Sequence, residues 1–325
     1  MIPTHNRRVV LLRALQSLRE MEIPPQLVDE CEIVIVANAC TDDTVAEIAR
    51  VAPTMPCPMR CMEEPTIGVE VARNRALAEA RGEILAFLDD DVWVDKSWLV
   101  GLLDVFESQP ADLVAGAVNL WWETVQRPEW MYNRSEHLLS CVNYGSEVIE
   151  LLTPGQAVGA NLAIRRRVVE KIGGFLPGLG RWGNVPYGGE ETELLRRALD
   201  AGFRMFYAPK AVLKHWVAPR QVTIEYLGAA AFGNGLARAF LWKDCSTMTA
   251  LRVMVEHGFR VVVYLGMEPF LHMSGLKKAC IHIRIRRETS LGNILGVWRR
   301  WRRLAPVGAR NQGLEPIPVG RLRGR

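Results

Sequence analysis

The sequence predicts an α/β fold, a doubly wound and mostly parallel sheet followed by a helical, basic C-terminal extension. Three observations carry this expectation. Short apolar runs of strand length alternate with helical patterns through the first 118 residues, which is the mark of βαβ units. One such run, residues 83–88, passes directly into Asp89-Asp90-Asp91. Beyond about Pro219 the pattern turns helical, apolar and basic.

Taken in order, residues 7–19 place Val10, Leu11, Ala14, Leu15 and Leu18 at helical spacing. Residues 32–37 form a continuous apolar strand. Thr41 is the expected N-cap of a helix over 45–50, with Asp42 and Asp43 in its first turn. A short strand near 58–62 precedes a helix over 69–81, which Gly82 stops. After the strand at 83–88, a helix over 97–106 and a strand over 112–118 complete the unit. Residues 119–157 lose periodicity and carry Trp121, Trp122, Trp130 and Tyr132, as an insertion or the entry to a second half. Periodicity returns at 159–164, and a helix is expected over 191–201.

The expected organisation is therefore a catalytic domain over 1–219, with halves at about 1–118 and 119–219, and a helical region over 220–325. Only Met1 and Ile2 precede Pro3-Thr4, where the first strand should end. A buried parallel strand usually needs about five residues. Either the first strand is stunted or the chain start lies further upstream.

Composition excludes a disordered chain. Of 325 residues, 49% are hydrophobic and 23% charged, which suits a globular protein. The net charge of +4 hides an asymmetry. From residue 251 onward, 15 Lys and Arg face 4 Asp and Glu, a balance of +11, which leaves −7 for the first 250 residues. A basic tail on an acidic body suggests an anionic partner. The seven cysteines are scattered, and Cys57 and Cys61 lack a second pair to complete a zinc site, so reduced packing thiols are expected. Met1 leads directly into Ile-Pro-Thr-His, without a leader-like pattern. The best apolar stretch, residues 259–274, is broken by Arg260, Glu268 and Pro269, so no membrane span is expected. These features point to a cytoplasmic protein, peripheral on the cytoplasmic face of a membrane.

In an open parallel sheet, ligands bind beyond the carboxyl ends of the strands. Asp89, Asp90 and Asp91 sit at such an end. Three adjacent carboxylates repel one another, and a divalent cation with oxygen ligands would compensate them. A solvated acidic turn ahead of the helix at Ser97 is the plain alternative.

Further motifs follow a fixed order. Ile2-Pro3-Thr4-His5-Asn6 opens the chain, then Ile-Val-Ala-Asn-Ala-Cys-Thr-Asp-Asp-Thr over 35–44. Gly68-Val-Glu-Val-Ala-Arg-Asn74, Leu88-Asp-Asp-Asp91 and Gly188-Gly-Glu-Glu-Thr-Glu-Leu194 come next. This ordered set resembles family 2 of the glycosyltransferases, whose catalytic domain has the GT-A fold, over about residues 1–216.

The resemblance implies an inverting transfer from a nucleotide-sugar donor to a hydroxyl acceptor, a glycan or a lipid-linked molecule, in cell-surface glycan or glycolipid synthesis. Mn²⁺ or Mg²⁺ would assist. Asp91 would hold the metal that bridges the two phosphates, and Asp89 the ribose hydroxyls, with Asp90 as a rival for either role. Arg73 would face the nucleotide; an ion-paired helix-surface arginine is the alternative. Pro3 and Thr4 would lie along the nucleotide, while Asn6 serves equally well as a helix N-cap. Ala37 stands where similar enzymes place an Asp that reads the base, which leaves Asn38 as its substitute. Glu191 matches the catalytic base, where Asp is usual. An acidic first helical turn is the alternative reading of that run.

The resemblance also assigns His215 to the metal or the diphosphate. It sets Gly159, Asn161, Trp182 and Glu190 on the acceptor side, with Gly173-Gly174-Phe175 nearby. Trp121, Trp122, Trp130 and Trp182 could stack on sugar faces or pack in the core.

The basic tail carries Lys277-Lys278, Arg284, Arg286-Arg287 and a Trp-Arg-Arg-Trp-Arg-Arg run over 298–303. Tryptophan interleaved with arginine suits an anionic membrane surface; a solvated basic face is the alternative. Nucleic acid is not expected, as no recognised binding module accompanies the charge. Two other functions compete. A nucleotidyltransferase would want a glycine-rich basic loop, which residues 2–8 lack. A non-catalytic nucleotide-sugar-binding or membrane-associated protein would tolerate Ala37 and Glu191 in place of Asp.

Overall fold

The computed structural model describes residues 1–180, 188–241 and 245–304. The first half runs β1 (Ile2–Thr4), α1 (Arg8–Arg19), β2 (Ile33–Asn38), α2 (Thr44–Val51), β3 (Met59–Glu64), α3 (Val69–Glu79) and β4 (Ile84–Leu88). β1, β2 and β3 are parallel, with Ile2 opposite Ile35 and Ile33 opposite Met59. All six residues of β2 are buried. Helices cover both faces of such a strand, so its sequence is a continuous apolar run. β1 is short, as its flanking sequence suggested. Met1 N donates to Ala86 O, and Leu88 N to Met1 O, which seats β1 beside β4.

The second half contains β5 (Val92–Val94), α4 (Trp98–Ser108), β6 (Leu113–Trp121), β7 (Ile149–Leu151), β8 (Asn161–Arg165), α5 (Arg166–Ile172), α6 (Glu190–Asp200) and β9 (Met205–Trp216). Its strand order is β4-β8-β6-β9-β5, with β7 on the other end of β9. β6 and β9 are parallel, while β4–β8, β6–β8 and β5–β9 are antiparallel. This mixed half brings two chain-distant strand ends together. Val92 pairs with His215, and Trp216 N donates to Asp91 O at 2.8 Å. The acidic triplet and His215 are thereby fixed side by side.

Several local expectations are corrected. Thr41 does not cap α2. Asp43 holds the N-cap position, and Asp42 Oδ1 accepts from Thr44 N and Oγ1. Asn6 does not cap α1, whose N-cap is Arg7. Asn6 instead adopts φ +50° and accepts from Thr41 N at 2.7 Å, tying the two loops together.

The C-terminal region is α7 (Ile224–Arg238), α8 (Thr247–Met273) and α9 (Lys277–Trp301). α7 and α9 approach through glycines. A Cβ on Gly292 would lie 2.0 Å from Phe232 O, and one on Gly235 would lie 2.3 Å from Thr289 O. Trp122 and Trp130 pack with Leu227, Ala231 and Ile285 in a cluster joining this region to the body. Core packing is therefore their role in this fold.

Candidate active site

A cavity of about 1010 Å³ opens at the carboxyl ends of the strands and takes lining residues from all parts of the chain. Pro3, Thr4, Asn38, Arg73, the triplet Asp89–Asp91, Gly159, Glu190 and Glu191 all line it. α7 closes it with Asn234, Ala237 and Arg238. The region beyond residue 219 is thus a wall of the site as well as an appendage.

Within the triplet the three carboxylates have distinct partners. Asp90 is buried and accepts from Thr4 Oγ1 at 2.7 Å and Arg7 Nη1 at 2.6 Å. Burial outweighs the nearby Arg7 and pushes its carboxyl up to about 6. Asp91 accepts from Arg7 Nη2 at 2.8 Å, and its Oδ1 lies 3.2 Å from His215 Nε2. Burial alone would raise Asp91, but the charges of His215 and Arg7 hold it well below the usual carboxylate range. Asp89 accepts from Arg73 Nη2 at 3.0 Å. Arginines thus supply much of the compensation that the sequence seemed to ask of a cation. Arg7 was not among the expected site residues. No periodic or motif signal marks a single arginine at a helix start.

Asp89, Asp91 and His215 each offer a ligand atom, all within 4.8 Å of one another. Two carboxylates and an imidazole suit Mn²⁺ or Mg²⁺. Asp91 Oδ1 is buried against the His215 imidazole, 3.2 Å away, so the two ligand atoms already converge on one point. Asp89, expected at the ribose, stands with Asp91 and His215 in this candidate metal group.

Arg73 is buried and spans the cavity floor. Its Nη1 donates to Glu190 Oε1 at 2.8 Å, and its guanidinium lies 5.5 Å over the Phe175 ring. A Cβ on Gly159 would come within 2.7 Å of Arg73 Nη2, so glycine there makes room for the guanidinium. Arg73, expected to face the nucleotide, lines the cavity, and its two terminal nitrogens donate to Glu190 and Asp89. Asn38 is likewise committed. Its Nδ2 donates to Thr66 O at 2.7 Å and Glu64 O at 3.2 Å, and its Oδ1 accepts from Gly68 N. It shapes the loop ahead of α3, with no amide hydrogen left to read a base.

Glu190 and Glu191 open α6 behind Gly189, whose φ is +110°. A Cβ on Gly189 would lie 2.5 Å from Ala237 Cβ. The Gly188-Gly189 pair therefore lets α7 pack against the turn that presents the carboxylates. Burial, and then the charge of Glu190, push Glu191 up to about 8. Glu190 Oε2 and Glu191 Oε2 are buried without a hydrogen-bond partner among the described residues.

Asn161 is a correction. It is fully buried, accepts from Trp98 Nε1 at 2.8 Å, and donates to Ala211 O and Ala117 O. It cross-links β6, β8 and β9 and does not line the cavity. Trp182 lies outside the described residues. Trp121 packs edge-on against Trp93 with Arg13 over its face. Trp216, not singled out from sequence, does line the cavity, and its Nε1 is a buried donor without an acceptor.

Comparisons with known proteins agree with this geometry. The family model described as glycosyl transferase family 2 matches residues 1–173. The succinoglycan biosynthesis protein ExoM of Rhizobium meliloti is 26% identical over 230 residues, 70% of each chain. The glucosyl-dolichyl phosphate glucuronosyltransferase of Haloferax volcanii is 24% identical over 55% of this chain and 57% of its own. Among solved structures, the mannosyltransferase PcManGT of Pyrobaculum calidifontis, in complex with GDP-Man and Mn²⁺, matches 95% of this chain and 76% of that one. Its TM-score is 0.55 at 19% identity. The S. aureus TarS fragment 1–349 with UDP-GlcNAc matches 92% of this chain and 90% of that one, with a TM-score of 0.50 at 16% identity. At these identities the likeness shows the fold, which is GT-A.

Proposed function

Because the chain belongs to glycosyl transferase family 2, we propose that it moves a sugar from a nucleoside-diphosphate sugar to a hydroxyl acceptor, with inversion, aided by Mn²⁺ or Mg²⁺. One observation carries this reading: Asp89 and Asp91, which stand with His215 in a possible metal group, line the same cavity as the Glu190–Glu191 pair.

Asp91 and His215, joined by Asp89, would hold the divalent ion. When bound, that ion would neutralise charge growing on the departing nucleoside diphosphate. Pro3 and Thr4 line the nucleotide side, and Thr4 steadies Asp90 there. In the same cavity Glu191 takes the proton from the acceptor hydroxyl as its oxygen attacks the anomeric carbon. The bond from that carbon to the diphosphate breaks in the same displacement. Glu190, held by Arg73, keeps Glu191 company as a fixed negative charge that makes it a stronger base. Gly159 opens space for this arrangement by admitting the Arg73 guanidinium.

A nucleotide-sugar donor is supported by GDP-Man and UDP-GlcNAc in the two structural neighbours. A glycan or lipid-linked acceptor fits relatives named for succinoglycan biosynthesis and for a dolichyl phosphate substrate. No helix among the described residues is long and apolar enough to cross a membrane. With the basic tail, this favours a peripheral position on the cytoplasmic face of an anionic membrane. Donor hydrolysis tests the core of the reading. GDP-mannose, UDP-N-acetylglucosamine and related donors are incubated with the protein, with and without Mn²⁺. Release of nucleoside diphosphate that requires the metal is expected. A full panel of donors without turnover, and without stabilisation of the protein, would refute it.

A further inference from the structure

We propose that the exposed face of α8 lies in the surface of an anionic phospholipid bilayer, along the membrane plane, with its apolar side chains inserted among the lipids. The proposal rests on the membrane-associated reading given above and names the element responsible.

α8 has 27 residues, about 40 Å at the helical rise. One side is buried through Ala250, His257 and Leu271. The opposite side carries Leu251, Val255, Phe259, Val262, Phe270 and Met273. At 100° per residue these six fall within an arc of about 100°. Phe259, Phe270 and Met273 are 70%, 69% and 88% exposed. Scattered apolar residues on a surface are ordinary, but a continuous stripe of this length calls for a partner.

Charge identifies that partner. Arg252 borders the stripe with Glu256 one turn on, and Lys277 and Lys278 stand exposed just past its C-terminal end, where α9 begins. A helix with an apolar face flanked by basic residues binds in the interface of anionic lipids, where both features contribute. A second copy docked through the same face would oppose two basic regions, each drawn from a segment with a balance of +11, and like charges disfavour that pairing. Arg252, Glu256, Arg260 and Glu268 interrupt α8 and bar a spanning arrangement.

Co-sedimentation of the full chain with vesicles tests this. One set contains phosphatidylglycerol and phosphatidylcholine, the other phosphatidylcholine alone. The parent should bind the anionic set, with part of the binding surviving high salt. Replacing Phe259→Glu and Phe270→Glu together alters two exposed side chains. It should weaken binding at least about tenfold per phenylalanine. Val255→Gln with Met273→Gln, a milder pair, should weaken binding in the same direction. Mn²⁺-dependent donor hydrolysis should persist in both variants, which separates failure of this inference from failure of the transferase reading. The inference is overturned if both variants bind like the parent or if the parent binds neither vesicle set. Equal binding to pure phosphatidylcholine overturns it, and so does a lipid-free parent dimer that the substitutions convert to monomer.

Discussion

Arg73 Nη1 donates to Glu190 Oε1 at 2.8 Å, both side chains are almost fully buried, and the pair links α3 to α6 across the cavity. The other arm of the same guanidinium reaches Asp89 at 3.0 Å. One side chain thereby sets the spacing between the candidate metal ligand Asp89 and the carboxylate beside the proposed base. Its planar fork suits two carboxylates at once, which a lysine ammonium cannot match in geometry.

Removing it should be costly. Arg73→Ala leaves Glu190 buried and uncompensated, and breaking such a pair typically costs about 3–5 kcal/mol. We expect a clear fall in the thermal midpoint and loss of transfer. Arg73→Lys should recover part of the stability and little of the turnover. Full turnover in the lysine variant would show that the fork does not set the spacing.

The metal cluster gives a second expectation. Asp91→Asn keeps the shape of the side chain but removes the charge that faces both His215 and Arg7. Mn²⁺ affinity, measured by calorimetry, should fall at least about tenfold, and metal-dependent donor hydrolysis with it. His215→Gln should weaken the metal in the same way. Asp90→Asn should do so less, since Asp90 accepts from Thr4 and Arg7 rather than joining the ligand cluster. Mn²⁺ binding unchanged in the Asp91 variant would remove Asp91 from the metal site.

The contact between α7 and the α6 turn predicts a steric effect. A Cβ at Gly189 would sit 2.5 Å from Ala237 Cβ, on a backbone with φ +110°. Gly189→Ala combines overpacking with a conformation that side chains rarely adopt, for a cost of about 2–4 kcal/mol. Turnover should drop with the thermal midpoint, because the turn that moves is the one presenting Glu190 and Glu191. Truncation after about Pro219 should likewise abolish turnover, since it strips a wall from the cavity. An active truncated protein would show that the reaction does not need α7 as a wall of the cavity.

How much of this could be read beforehand follows from range. The carboxylate triplet was legible because a strand of five apolar residues and the acids after it are contiguous. Helix and strand identities in the first half followed from periodicity, with ends displaced by one or two residues. β5 was missed because three residues between two loops carry no period, and β5 is what aligns His215 with Asp91. Asn161 was set on the acceptor side by the resemblance, which matches a position without showing its burial. Its burial depends on Trp98, Ala117 and Ala211, which are remote in sequence. Arg7 and the α7 wall were hidden for the same reason. The single local trace of α7 was the Gly188-Gly189 pair, which reads equally well as turn chemistry.

The last prediction concerns Glu191 and pH. Burial, and then the neighbouring Glu190 charge, raise its carboxyl from an ordinary 4.5 to about 8. A group raised in the folded state holds its proton more tightly there than in the unfolded chain. Its contribution to stability is therefore complete below about pH 4.5, declines as pH rises, and is gone above about pH 8. The base works only when ionised, so turnover should climb with pH through about 8 while the thermal midpoint falls over the same interval. Glu191→Gln should flatten that fall in the midpoint and lower turnover by about 10²–10⁴-fold, with donor affinity unchanged. Glu191→Asp should retain a rising pH profile but at reduced turnover, because the carboxylate stops one methylene short of the acceptor. The same pair of changes at Glu190 fixes the register. Glu190→Gln should shift the pH profile downward by removing the charge that raises Glu191. Should Glu190→Gln abolish turnover while Glu191→Gln leaves both turnover and its pH profile intact, the base is Glu190 and the register is off by one.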